Sequence, residues 1–199
     1  MAGLIAGAGF ASGDRVVVGC WASSPIGPFG DVMWAAPDGR RTLWAPSATV
    51  AEFVGAVYRF DHVEVGGLEV QGTIAGLTAS TPAWSLRVDA APRGFRIPFR
   101  RPAWMTRYVE APVARAWMGV RPYGVSPTGV REWYRADAWR RIVAGSLVVD
   151  GVDAGALVPV DPPTGFGFSE PPRRPTITAV RPLLVDPTGR LDDVLAGLA

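Results

Sequence analysis

Val130-Arg-Glu-Trp-Tyr134 sets a carboxylate and a phenol two residues apart. On an extended strand, residues at that spacing share a face. Continued to Trp139, the alternation puts Val130, Glu132, Tyr134, Ala136 and Ala138 on one side. Arg131, Trp133, Arg135, Asp137 and Trp139 fall on the other. The first set looks inward. A carboxylate there is costly to bury unless it is paired, and Arg121 or Arg115 is a natural mate. Two readings follow: a polar anchor inside a largely apolar cavity, or a buried Glu–Arg or Glu–Tyr lock.

A second candidate lies in Phe60-Asp-His-Val-Glu64, where strand alternation places His62 beside Glu64. That neighbour would tune the imidazole for general-base work, and the alternative is a structural histidine. His62 is the only histidine and Cys20 the only cysteine. A His/Cys zinc site needs three or four such ligands, so no metal is expected. Cys20 forms no internal disulfide and reads as a small buried hydrophobe. All 20 basic side chains are arginine, which excludes a Schiff-base lysine and a P-loop lysine. No GxGxxG opens a helix and no Ser sits in a GxSxG elbow, so neither a nucleotide cofactor nor a serine triad has support. What remains for chemistry is carboxylate, phenol and guanidinium.

These groups must be held by elements that read mostly as strands. Asp14–Trp21 is β-branched and short. Asp31–Ala36 and Arg41–Ala45 flank Pro37-Asp-Gly-Arg40, a hairpin turn. Thr49-Val-Ala-Glu52 has capping-box spacing and opens a helix of about ten residues. Arg59–Val65 and Leu68–Ile74 read as a hairpin around Gly66-Gly67, and Ala83–Val88 as a further strand. Residues 102–117 read as a helix that Pro112 should kink. Val130–Trp139 is a long strand, and Ile142–Asp150 pairs with Ala156–Val160. Thr176–Val185 is the last strand, before a short helix at Leu191–Leu198. The expectation is one β-rich α+β domain over residues 1–199. Its core is a curved sheet or conical β-barrel with two or three short helices. No apolar run spans a bilayer and the start lacks a basic leader, which predicts a cytoplasmic, non-transmembrane chain.

The net charge of +2 conceals an asymmetry: residues 1–92 carry −3, residues 93–141 carry +8 and residues 142–199 carry −3. Arg96, Arg100 and Arg101 lie among Phe95, Phe99, Trp104 and Tyr108. That mixture suits base stacking or a peripheral lipid surface. Internal pairing with the acidic flanks is the favoured account of the arginines, because +2 overall is too weak a field for a general nucleic-acid binder.

Eight tryptophans are many for 199 residues. Trp21, Trp34 and Trp44 fall on consecutive strands and are expected to share an interior, as core or as the wall of a cavity for a flat or apolar ligand. Ser24-Pro-Ile-Gly-Pro-Phe-Gly-Asp31 and Gly39-Arg-Arg-Thr-Leu-Trp-Ala-Pro46 resemble two elements of the acetoacetate decarboxylase superfamily. Gly27, Phe29 and Asp31 match its G-x-Y-x-E places; Ser47 follows Pro46 where the family has lysine. The resemblance implies a conical barrel with a central cavity, decarboxylation lost with the lysine, and Asp31 as the matched polar residue. The exclusive use of arginine resembles proteins of high-GC bacteria.

Three functional readings stand. The first is a binder of a small apolar or anionic molecule, oriented by Asp31, His62, Glu132, Tyr134 and Arg121 and walled by Trp21 and Trp34. The second is a carboxylate-based acid–base enzyme of isomerase, lyase or hydratase type. The third is an interaction module using residues 93–108.

Overall fold

A computed structural model describes residues 1–97 and 123–197. The expected helix at 102–117, and with it Arg100, Arg101, Arg115 and Arg121, lies outside the described residues. Among the described residues strands dominate: a curled ten-strand sheet forms a half-barrel, with two short helices. In chain order the elements are β1 (Ala2–Phe10), β2 (Arg15–Ser23), β3 (Phe29–Ala35), β4 (Arg41–Ala45), α1 (Ala48–Gly55), β5 (His62–Val65), β6 (Glu69–Thr73), β7 (Gly76–Ser80) and β8 (Trp84–Ala90). They continue as β9 (Phe95–Arg96), β10 (Tyr123–Val125), β11 (Arg131–Val149), β12 (Val152–Asp153), β13 (Leu157–Val158), β14 (Thr176–Val185) and α2 (Arg190–Ala196). Along the curl the order is β5-β4-β3-β2-β1-β14-β11-β8-β7-β6. Among the described residues no helix is long and apolar enough to cross a membrane.

Several expectations hold and others need correction. The Pro37–Arg40 turn joins β3 to β4, with Gly39 at φ 89°, a backbone region that glycine enters without steric cost. The helix starts earlier than the Thr49 cap predicts: Ser47 is the N-cap, and its Oγ accepts from the Val50 amide at 3.3 Å. Gly66-Gly67 is not a hairpin turn. β5 pairs parallel with β4 across the α1 crossover, and β6 pairs with β7 at the opposite end of the curl. Both glycines have positive φ, so the turn signal is real, but non-local pairing decides where the chain goes next. The two strands expected at 130–150 are one, β11, which bends at register shifts near Ala136/Ala138 and Ile142/Ala144. Such bulges let one strand serve two parts of a curled sheet. Residues 157–158 pair with β1 rather than with β11.

Both faces of the sheet are covered. On the concave face Ala6, Ala8, Phe10, Val16, Val18, Val32 and Trp34 pack against Leu77, Ala79, Trp84, Leu86 and Val88 from the returning strands. Trp84 lies edge-on to Trp34 and Trp44, with centroids 5.3 and 5.5 Å away. The convex face takes the alternate residues. There Leu43, Ala45 and Met33 meet Val50, Phe53, Val54 and Val57, with Val130 and Leu191. Val50, Phe53 and Val54 are spaced i, i+3 and i+4, one face of α1, and Val57, just past the helix, adds to it. Trp21 therefore does not share an interior with Trp34 and Trp44: as an odd residue of β2 it points to the convex side.

Candidate functional site

The convex face holds the unusual chemistry. Glu132, on β11, is fully buried. Tyr58, which follows α1, donates to its Oε2 at 2.8 Å, and Tyr134 donates to the same oxygen at 2.9 Å. The two phenol oxygens are themselves in hydrogen-bond contact. Three oxygens thus stand in mutual reach. With Glu132 ionised, two phenol protons serve three edges. With Glu132 protonated, three protons complete a closed ring of donors and acceptors. Burial raises the carboxyl to about 7, partly offset by the two phenol hydrogen bonds. Burial likewise holds both tyrosines well above the ordinary phenol range. Glu132 Oε1 is buried without a hydrogen-bond partner among the described residues.

A second carboxyl is buried on the same face of the sheet. Asp31, on β3, is 3% exposed and its Oδ1 accepts from Trp21 Nε1 at 2.8 Å. Burial raises it to about 6, with the indole donor working in the opposite direction. Its charge is felt at Tyr134 and at the thiol of Cys20. Gly19 makes the pairing possible. A Cβ at that position would overlap the Asp31 carboxylate and lie 2.5 Å from the indole nitrogen.

Between these groups lies a cavity of about 50 Å³, lined by Asp31, Trp21, Phe29, Phe53, Tyr58 and Tyr134 together with aliphatic side chains of β1, β2, α1 and β14. At roughly 10–15 Å³ per water, that is room for a group of a few heavy atoms. It is far below the 300 Å³ or more, roughly, of a cofactor-sized pocket.

The Gly165-Phe-Gly-Phe168 segment packs against the two tyrosines that line the cavity. Phe166 is buried against Phe60, with centroids 5.8 Å apart, and Phe168 lies 6.3 Å from Tyr134. A Cβ on Gly167 would sit 2.8 Å from the Tyr58 ring. The segment is tied down by Glu170, which accepts from the Thr164 amide and hydroxyl and from the Gly165 amide at 2.6–2.9 Å. Buried Arg15 adds an anchor to the Pro162 carbonyl at 3.2 Å.

The structure brings together Asp31, Trp21, Glu132 and Tyr134 from the sequence-derived candidates. His62 stands apart, exposed on edge strand β5, with Nε2 2.8 Å from Glu64 Oε1. Trp34 faces the concave core and donates to Asp14 at 2.8 Å. Arg121 lies outside the described residues. The mates of Glu132 seen here are tyrosines, and Tyr58 was missed. It follows a helix and precedes its partners by 74 and 76 residues, so no local pattern marks it. Arg96 lines a separate groove of about 340 Å³ with Phe95, Asp137 and Arg140. This larger groove shares no lining residue with the carboxyl-lined cavity. Asp137 there is engaged by Arg181 at 2.6 and 2.7 Å, so it adds no free acid–base group. Among the described residues no cluster of His, Cys, Asp and Glu has the arrangement of a metal site.

No family, curated protein or solved structure matches the chain.

Proposed function

We propose that this chain binds a small molecule in the convex-face cavity beneath α1. The observation that supports this most directly is an aromatic-walled space lined by one buried carboxyl, Asp31, and by two phenols that hold a second buried carboxyl, Glu132, behind them. A protein core gains nothing in stability from carboxyls held in such surroundings, and perturbed groups of this kind cluster at functional sites.

A test is thermal denaturation of the full chain against a panel of small organic cations, neutral molecules and anions, alongside Asp31→Asn/Glu132→Gln. A ligand at about 100 times its Kd adds about 2.7 kcal/mol, or about 5–10 °C for a chain of this size. The expected result is a rise of that order in the native protein and none in the variant. A panel in which nothing stabilises the native chain more than the variant sinks the reading.

A second reading, acid–base catalysis, draws on one specific feature. Glu132 titrates near neutrality, where a general acid or base works best, and it meets the cavity through Tyr58 and Tyr134. On that reading a phenol exchanges the proton with the guest and Glu132 supplies or takes it up behind the phenol.

A further inference from the structure

We propose that the ligand is an organic cation, with a small ammonium or methylated ammonium head seated among Trp21, Phe29, Phe53, Tyr58 and Tyr134 and facing the Asp31 carboxylate. The inference rests on the small-molecule reading above and narrows its class, away from the apolar or anionic molecule expected from sequence.

Three observations converge on it. The first is the wall. Five of the groups lining the cavity are aromatic, and aromatic faces attract a cation through the ring quadrupole. Their rings are inclined to one another rather than stacked flat. Trp21 and Phe29 are tilted by 41° at 6.2 Å, and Phe29 and Phe53 meet edge-to-face at 6.1 Å. Such a set presents more than one surface to a single guest.

The second is the anion. Asp31 is buried and lines the cavity, and among the described residues its hydrogen-bond donor is the neutral Trp21 indole. Glu132 stands directly behind the two tyrosines with one oxygen unpartnered among the described residues. A carboxylate removed from water and given one neutral donor is short of positive charge, and an ammonium guest supplies it. An anionic guest would instead meet the Asp31 carboxylate directly.

The third is size. A space of about 50 Å³ holds a head of roughly five heavy atoms or fewer, the scale of methylammonium to tetramethylammonium.

The test uses the full chain and three probes with the same number of heavy atoms: tetramethylammonium, neutral tert-butanol, and anionic propionate, at matched ionic strength. The readout is the indole N–H resonance of Trp21, which donates to Asp31. Tetramethylammonium is expected to shift it saturably. Tert-butanol should bind at least about tenfold more weakly, the gap that a desolvated cation–π and charge contact supplies. Asp31→Asn is expected to remove the preference. The comparison of probes on the native chain stands even where that variant folds poorly. If tert-butanol or propionate saturates the signal and tetramethylammonium does not, the cavity binds ligands of another class and only the cation assignment falls. If none of the three moves Trp21 or the two tyrosines, the small-molecule reading falls as well.

Discussion

Stability should be highest near pH 4–5 and fall by several kcal/mol as the pH rises to 8. Glu132 has a folded pKa of about 7 against an ordinary 4.5, and Asp31 about 6 against 3.8. For both, the folded state holds the proton more tightly than the unfolded chain. Stability is then complete below the unfolded value and is lost as the pH climbs to the folded one. The windows are 4.5 to 7 for Glu132 and 3.8 to 6 for Asp31. Each shift corresponds to about 3 kcal/mol. Below pH 4 the sign reverses, because Asp61, held to about 2 by its hydrogen bonds with Arg41, loses that pairing on protonation. Denaturant melts of the native chain and of Asp31→Asn/Glu132→Gln between pH 4 and 8 check this. The native chain should show the slope and the variant should be nearly flat over the same range. A native profile that rises from pH 5 to 8 would contradict the assignment.

Trp84→Ala should destabilise the chain by about 3–5 kcal/mol, lowering Tm by about 6–20 °C. Trp84 is 4% exposed and is the ring on which Trp34 and Trp44 both close. These contacts join the two arms of the curl across its concave core. Truncation removes both edge-to-face pairs and leaves a cavity that β-strands on either side cannot collapse into. Its Nε1 is buried without a partner among the described residues. Trp84→Phe therefore removes an unsatisfied donor and should cost less than about 1.5 kcal/mol. Thermal melts of the two variants at pH 5 measure the difference. Equal, small losses would mean that the tryptophan contacts do not hold the curl shut.

The sequence is informative where structure is local and periodic. Thr176–Val185 is a strand with the bounds its alternation indicates, because Pro175 and Asp186-Pro187 punctuate both ends. Glu132 and Tyr134 share a face because they lie two apart, ahead of the first bulge in β11. Long-range choices are not legible in the same way. Gly66-Gly67 carries a turn signal as strong as Asp38-Gly39, yet one precedes a chain reversal between paired strands and the other leads across to the far end of the curl. The register shift at Ala136/Ala138 breaks the simple alternation on which the inward set was extended to Ala138. The site itself is half legible. Its carboxylates are visible as charges on strands, but the face they occupy depends on which side α1 covers. Tyr58 becomes a member only because α1 is laid over β3 and β4.

The reading of the site stands on a Glu132 carboxyl held out of water against Tyr58 and Tyr134. A ¹³C NMR titration of its side-chain carboxyl, assigned through Glu132→Gln, measures this directly. The midpoint should fall near 7 and drop when Trp21 and the tyrosines report a bound cation. A midpoint close to 4.5, the ordinary value, would show a carboxyl bathed in water and leave the convex cavity without its chemistry.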